Sequence, residues 1–185
     1  MKKGVSSILD ICIRYIILIF VGIFSTNIFY IVFTFVTVYP VYFLLKLFFD
    51  VSINSTNLLI NNISPISIIG PCIAGSAYYL LLILNLSAPE IKLKRRLSML
   101  LFSFSSLLII NILRIFILSI LFVSGISFFD FAHKAFWYVG SIVFVVLIWF
   151  LGVKLFKIES IPFYSDIKFL LSHSRKNIRK KKSRR

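Results

Sequence analysis

The chain has 185 residues, of which 59% are apolar and 15% charged, with a mean hydropathy of +0.99; soluble domains carry about 25% charged residues. Its 21 Lys and Arg against 6 Asp and Glu give a net charge of +15, gathered into a few stretches that alternate with long uncharged ones. Disorder would need low hydrophobicity, a disulfide scaffold many cysteines and a solenoid a repeat period, and none is present.

What remains is an all-α, polytopic integral membrane helical bundle. Runs of about 20 apolar residues cross a hydrocarbon core of about 30 Å, and in chain order they predict spans over 15–38, 73–88, 97–121 and 135–153. Between the first two, Pro40–Phe49 is aromatic and too short to cross, so it reads as a re-entrant or interfacial helix ending near Lys46 and Asp50. Residues 50–71 are rich in Ser and Asn and carry Pro65, Gly70 and Pro71, the composition of an outer loop. The second span is short. The third continues apolar to Phe129, longer than one crossing needs, which predicts a tilt or a break at Ser124–Gly125. All five prolines (40, 65, 71, 89 and 162) fall at the edges of these segments, where the missing N–H does least harm.

Basic residues retained in the cytoplasm set the orientation. With residues 1–14 inside, Lys2, Lys3 and Arg14, the loop Lys92, Lys94, Arg95 and Arg96, and the eleven Lys and Arg from Lys154 onward all share one side. Only Lys46, Arg114 and Lys134 lie elsewhere. The membrane-embedded body is then 15–153, and 154–185 is a basic cytoplasmic tail. The N-terminal apolar run exceeds a signal-peptide core and no small-residue cleavage site follows it, so an uncleaved signal-anchor in the plasma membrane is expected.

Three side chains stand out from this apolar background. Cys72 sits in Gly-Pro-Cys-Ile-Ala-Gly (70–75), a turn opening a helix, where free N–H groups and the positive end of the helix dipole favour a thiolate. A lone cysteine is otherwise an ordinary buried hydrophobe, and Cys12, at the other face, is not placed to pair with it. Arg114 interrupts an uncharged run from Leu97 to Phe129 at an insertion cost of about 2.5–3.5 kcal/mol; its plain alternative is snorkelling to the headgroups. Asn111 lies three residues earlier and shares its helical face. His133 follows Asp130 at the head of the last span, where histidines commonly serve only as interfacial polar groups. Lys134 and Trp137 read as headgroup anchors, and His173 as a solvated residue of the tail.

Depth links the three. At 1.5 Å per helical residue, Cys72 stands about 27 Å from Glu90, Arg114 about 27 Å from Arg96 and His133 about 32 Å from Lys154, so all reach the outer boundary. A thiolate beside a guanidinium is stabilised by the opposite charge and can attack an amide. His133 can move the proton, Arg114 with Asn111 can hold the oxyanion, and Asp130 can orient His133 or simply face water.

Gly-Pro-Cys-Ile-Ala-Gly, Asn-Ile-Leu-Arg (111–114) and His133 together resemble the Cys…Asn-x-x-Arg…His pattern of the exosortase/archaeosortase family, most closely its minimal archaeal versions. The resemblance covers residues 70–150. It implies a membrane thiol transpeptidase that cleaves membrane protein substrates at a C-terminal sorting signal (short motif, transmembrane helix, basic residues). The new C-terminus would pass through a thioester to a membrane-linked acceptor, and no cofactor or metal is implied. Catalysis would rest on Cys72, Arg114 and His133, with Asn111 and Asp130 supporting. This chain is shorter than the larger members, and Ile73-Ala74-Gly75 departs from the small or hydroxylated residue and Gly that commonly follow the cysteine.

Two other readings compete. A non-enzymatic insertase would use Arg114 in a polar groove and the tail at a ribosome, leaving Cys72 and His133 without a task; a structural subunit would need all three only for stability. The tail itself suits anionic lipid headgroups, at about 1 kcal/mol per basic residue; it lacks the aromatic pattern of nucleic-acid binding, and no nucleic acid is expected. Asn54-Ser-Thr and Asn62-Ile-Ser fit the glycosylation sequon on the outer side.

Overall fold

The computed structural model describes residues 2–88 and 91–158; Pro89, Glu90 and residues 159–185, with Pro162, His173 and the basic cluster of the tail, lie outside the described residues. The chain is mostly helical, and the expectation of a purely α fold is corrected by a small antiparallel sheet. The order is α1 (Lys2–Lys46), β1 (Val51–Asn54), β2 (Asn57–Ile60), β3 (Ser64–Ser67), α2 (Gly70–Ile73), α3 (Gly75–Leu86), α4 (Leu93–Val123), α5 (Phe129–Ala135), a π-helical turn (Phe136–Gly140) and α6 (Ser141–Leu155).

Helix α1 runs unbroken for 45 residues, about 67 Å of rise, so the expected separate helix over Pro40–Phe49 is instead the last turns of α1, as far as Lys46, and the turn that follows. Pro40 removes one hydrogen bond, to Val36, but the helix is held on both sides of it. Val38, Val41 and Leu45 are 2%, 0% and 0% exposed and pack on Val51, Leu58, Ile60 and Ile68 of the sheet region. Burial of three aliphatic side chains, at about 1.5–3 kcal/mol each, outweighs the roughly 3 kcal/mol cost of an interior proline.

Residues 50–71, expected as a loop, form the sheet. Val51, Leu58 and Ile60 are buried while their strand neighbours are more exposed, the alternation of a half-buried strand. Ser55, Asn61 and Asn62 take positive φ (59°, 52° and 55°) in the two turns, a conformation that Asn tolerates better than most non-glycine residues. The Ser and Asn content thus marks the hairpin turns between short aliphatic strands. Two prolines also lie inside elements, Pro65 in β3 and Pro71 in the first turn of α2.

Among the described residues three helical stretches are long and apolar enough to cross a membrane: Phe29–Lys46, Leu93–Val123 and Phe129–Leu155. Of the expected spans, 73–88 falls short, since its apolar stretch Gly70–Leu86 is too short and is interrupted at Ala74, and in place of 15–38 the qualifying stretch is Phe29–Lys46, with Ile11–Ile23 a shorter apolar one. Ala74 has φ 59° and ψ 38°, closing α2 and opening α3. The break expected at Ser124–Gly125 is present: α4 stops at Val123 and Gly125 turns the chain at φ 65°.

The helices pack antiparallel in sequence order. Midway, Tyr78 of α3 stacks on Phe33 of α1 with centroids 3.8 Å apart and meets Phe104 of α4 edge-on at 5.5 Å, while Val145 and Ile148 of α6 close the cluster. At the end away from the sheet, two arginines read above only as topogenic charge are buried. Arg14 and Arg96 are 4% and 5% exposed, and both donate to the carbonyls that end α3. Arg96 Nη1 reaches Leu86 O at 2.9 Å and Nη2 reaches Ala88 O at 3.0 Å. Arg14 Nη1 meets the same two oxygens at 2.9 and 3.4 Å. Cations at a helix C-terminus oppose its partial negative charge and satisfy its orphan carbonyls, so this clasp ties α1, α3 and α4 together.

Candidate active site

Pro71 sits at the start of α2 and fixes its first turn, and the Ala74 break stops that helix after four residues. Cys72 is therefore carried on a single turn packed against α1 and α4, half-buried and free of any disulfide. This corrects the expectation of a helix-dipole site with free N–H groups: the Cys72 N–H is already bonded to Ile69 O at 2.8 Å, and one turn of helix carries little dipole. The charge near this thiol comes instead from α4.

Asn111 and Arg114 do share a face, and both side chains converge on one atom. Asn111 Nδ2 donates to the backbone oxygen of Cys72 at 2.8 Å, and Arg114 Nη2 donates to the same oxygen at 3.3 Å. Asn111 is 2% exposed, so the Asn-x-x-Arg unit holds the interrupted helix at the cysteine. Asn111 is engaged with that carbonyl and so is placed to position the Cys72 turn. The second Arg114 nitrogen, Nη1, donates to Ser141 Oγ at 3.4 Å, and Ser141 Oγ in turn donates to Phe136 O at 3.3 Å. The π-helical turn supplies this link: its wider register brings Ser141 to Phe136 O, which accepts both the backbone N–H and the hydroxyl of the serine. Such turns are frequent at functional sites. Arg114 Nε is buried with no hydrogen-bond partner among the described residues, so this guanidinium, with five N–H donors, retains donors for a further acceptor.

Cys72, Arg114 and His133 all line one cavity of about 230 Å³. Apart from Ser67 and Ser119 its other walls are apolar, from Phe122, Phe129, Phe136 and Trp137 on the helices and from residues 65–69, the end of β3 and the two residues after it. His133 is held by its rings: Phe129 stacks on it at 5.5 Å and Trp137 meets it edge-on at 6.0 Å. Asp130 is exposed and does not line the cavity, and among the described residues no hydrogen bond joins it to His133. Its expected orienting role is therefore filled by two aromatic rings at helical spacings of four residues. A second, larger cavity of about 740 Å³ opens on the other side of α2, between Tyr30 of α1 and Tyr138 and Ser141, with Arg114 and Trp137 common to both.

Sequence reasoning missed Ser141, the cavity-lining role of Trp137 and the strand β3. Only a hydroxyl in the apolar run of the last helix hinted at the first. Asn111→Leu should cost about 1–3 kcal/mol of stability by stripping the shorter of the two bonds from the Cys72 carbonyl. Unfolding in detergent micelles reads this, and unchanged stability would mean that another donor takes over.

The chain matches no protein-family model, no curated protein and no solved structure.

Proposed function

We propose that this chain is a polytopic plasma-membrane thiol transpeptidase of the exosortase/archaeosortase type, with both termini cytoplasmic and the sheet end of the bundle extracytoplasmic. The observation that carries the reading is the meeting of Cys72, Arg114 and His133 in one cavity, from three elements separated in sequence. The three long apolar helices and the basic loop and tail support the membrane setting and its sidedness.

The reaction follows from the residue chemistry. The Cys72 thiol passes its proton to the His133 imidazole, and the sulfur attacks a substrate carbonyl carbon. The carbonyl oxygen becomes an oxyanion that Arg114 meets with its remaining donors, a contribution of about 2.7–4 kcal/mol for a well-placed group. The C–N bond breaks, the imidazolium returns the proton to the departing amine, and a thioester is left on Cys72. An incoming amine of a membrane-linked acceptor then attacks the thioester; water would give hydrolysis. His133 takes the proton of the attacking group and the sulfur leaves as thiolate. The substrates are membrane proteins ending in a short motif, an apolar helix and basic residues, and the basic tail sits on anionic lipid headgroups.

Deleting the chain should leave such proteins with intact C-termini, and C-terminal peptide mapping of the membrane fraction would detect the uncut forms. Processing that continues unchanged in the deletion strain would overturn the assignment.

A further inference from the structure

Resting on that reading, we propose that the cavity beside Cys72 takes the substrate as an extended strand paired with the open edge of β3. The sheet order is β1-β2-β3, so β3 has a neighbour on one side only, and its extensive contacts among the described elements are with β2. Ladder parity fixes which groups are free. Ile68 N–H donates to Thr56 O at 2.9 Å, so in this antiparallel register residues 64, 66 and 68 bond to β2. Residues 65 and 67 then aim their backbone groups away from it. Pro65, which has no N–H, falls at one of these outward positions, where a proline costs the ladder nothing.

The outward edge faces the cavity. Residues 65 to 69 line it consecutively, whereas side chains alternate between the two faces of a strand; a face would supply only every second residue, and an edge supplies them all. The edge also leads to the nucleophile, since Ile69 O, the next outward acceptor, already holds the Cys72 N–H. The Pro65 carbonyl and the Ser67 N–H and carbonyl are left to pair with an occupant.

These groups select the occupant. The rest of the wall is largely aliphatic and aromatic, and an acyl chain seated there would bury three backbone polar groups without partners. A helix cannot satisfy them, because its own N–H and C=O groups are bonded internally. An extended polypeptide satisfies them while laying its side chains against the apolar walls, the mode of strand addition to an exposed edge. It also brings a backbone carbonyl to the sulfur and the guanidinium.

Peptidyl chloromethyl ketones can test this without a known substrate. Acetyl-Ala-Ala-Phe-chloromethyl ketone, the same reagent N-methylated along its backbone, and iodoacetamide are each reacted with the full chain in detergent micelles. Alkylation of the Cys72 peptide is followed by mass spectrometry, and rates are normalised to those with glutathione. The peptide reagent should outpace iodoacetamide at least tenfold, and the advantage should vanish on N-methylation or with Ser67→Pro, which removes the outward N–H. N-methylation is read on the unmodified protein, so it stands even if Ser67→Pro misfolds. An advantage that survives N-methylation, or none to begin with, overturns edge pairing while leaving Cys72 a reactive thiol. Failure of all three reagents to reach Cys72 removes the nucleophile itself and overturns both proposals.

Discussion

Cys72→Ser is expected to abolish C-terminal processing, by on the order of a thousandfold or more, while the protein accumulates at its normal level. The two expectations have separate origins. Loss of activity follows because a hydroxyl beside Arg114 and His133 is a far weaker nucleophile than a thiol. Retention of the fold follows because Asn111 and Arg114 bond to the backbone oxygen of residue 72, which serine supplies equally. Peptide mapping of the membrane fraction and immunoblotting of the tagged chain measure the two effects together. A non-enzymatic insertase would be indifferent to this substitution, so full processing by Cys72→Ser with normal accumulation would eliminate the transpeptidase. A structural subunit predicts that any loss tracks protein level.

The second large effect is expected far from the cavity. Arg96→Met should lower unfolding stability by about 2–3 kcal/mol, since it removes the charge-assisted bonds to Leu86 O and Ala88 O, worth about 1.5–3 kcal/mol for such a group, and leaves those oxygens to Arg14, at 2.9 and 3.4 Å. Arg96→Lys should lose part of this, because a lysine keeps the charge but cannot span the two carbonyls as the guanidinium fork does. Denaturant titration in micelles compares the three proteins, and equal stability of Arg96→Met and wild type would show that the clasp is not holding α3. Helical rise puts Arg96 about 27 Å from Arg114, so the thiol chemistry of whatever fraction remains folded should be unaltered.

The same two arginines show where reading a sequence stops. As charges they are legible, and their side of the chain can be argued from the bias of Lys and Arg, but burial at the end of α3 depends on three helices meeting, which no local pattern encodes. Pro40 is similar. Its missing N–H predicts a helix boundary, yet α1 continues because Val38, Val41 and Leu45 are buried against strands that begin at Val51. The strands were hidden by their length: four-residue segments separated by Asn-rich turns offer too few alternations to stand apart from loop composition.

What the amino-acid sequence determined by itself is the mostly helical class, the long apolar segments, the end of α4 near Gly125 and the identity of the unusual side chains Cys72, Asn111, Arg114 and His133. These depend on composition, helical spacing and the cost of a lone charge, all properties of a local stretch of chain. The tertiary structure decided that the Asn-x-x-Arg unit grips the Cys72 carbonyl, that Phe129 and Trp137 hold His133 in place of Asp130, and that a strand edge borders the thiol. Each of these is a contact between elements far apart in the chain, fixed by packing and by the need of buried polar groups for partners.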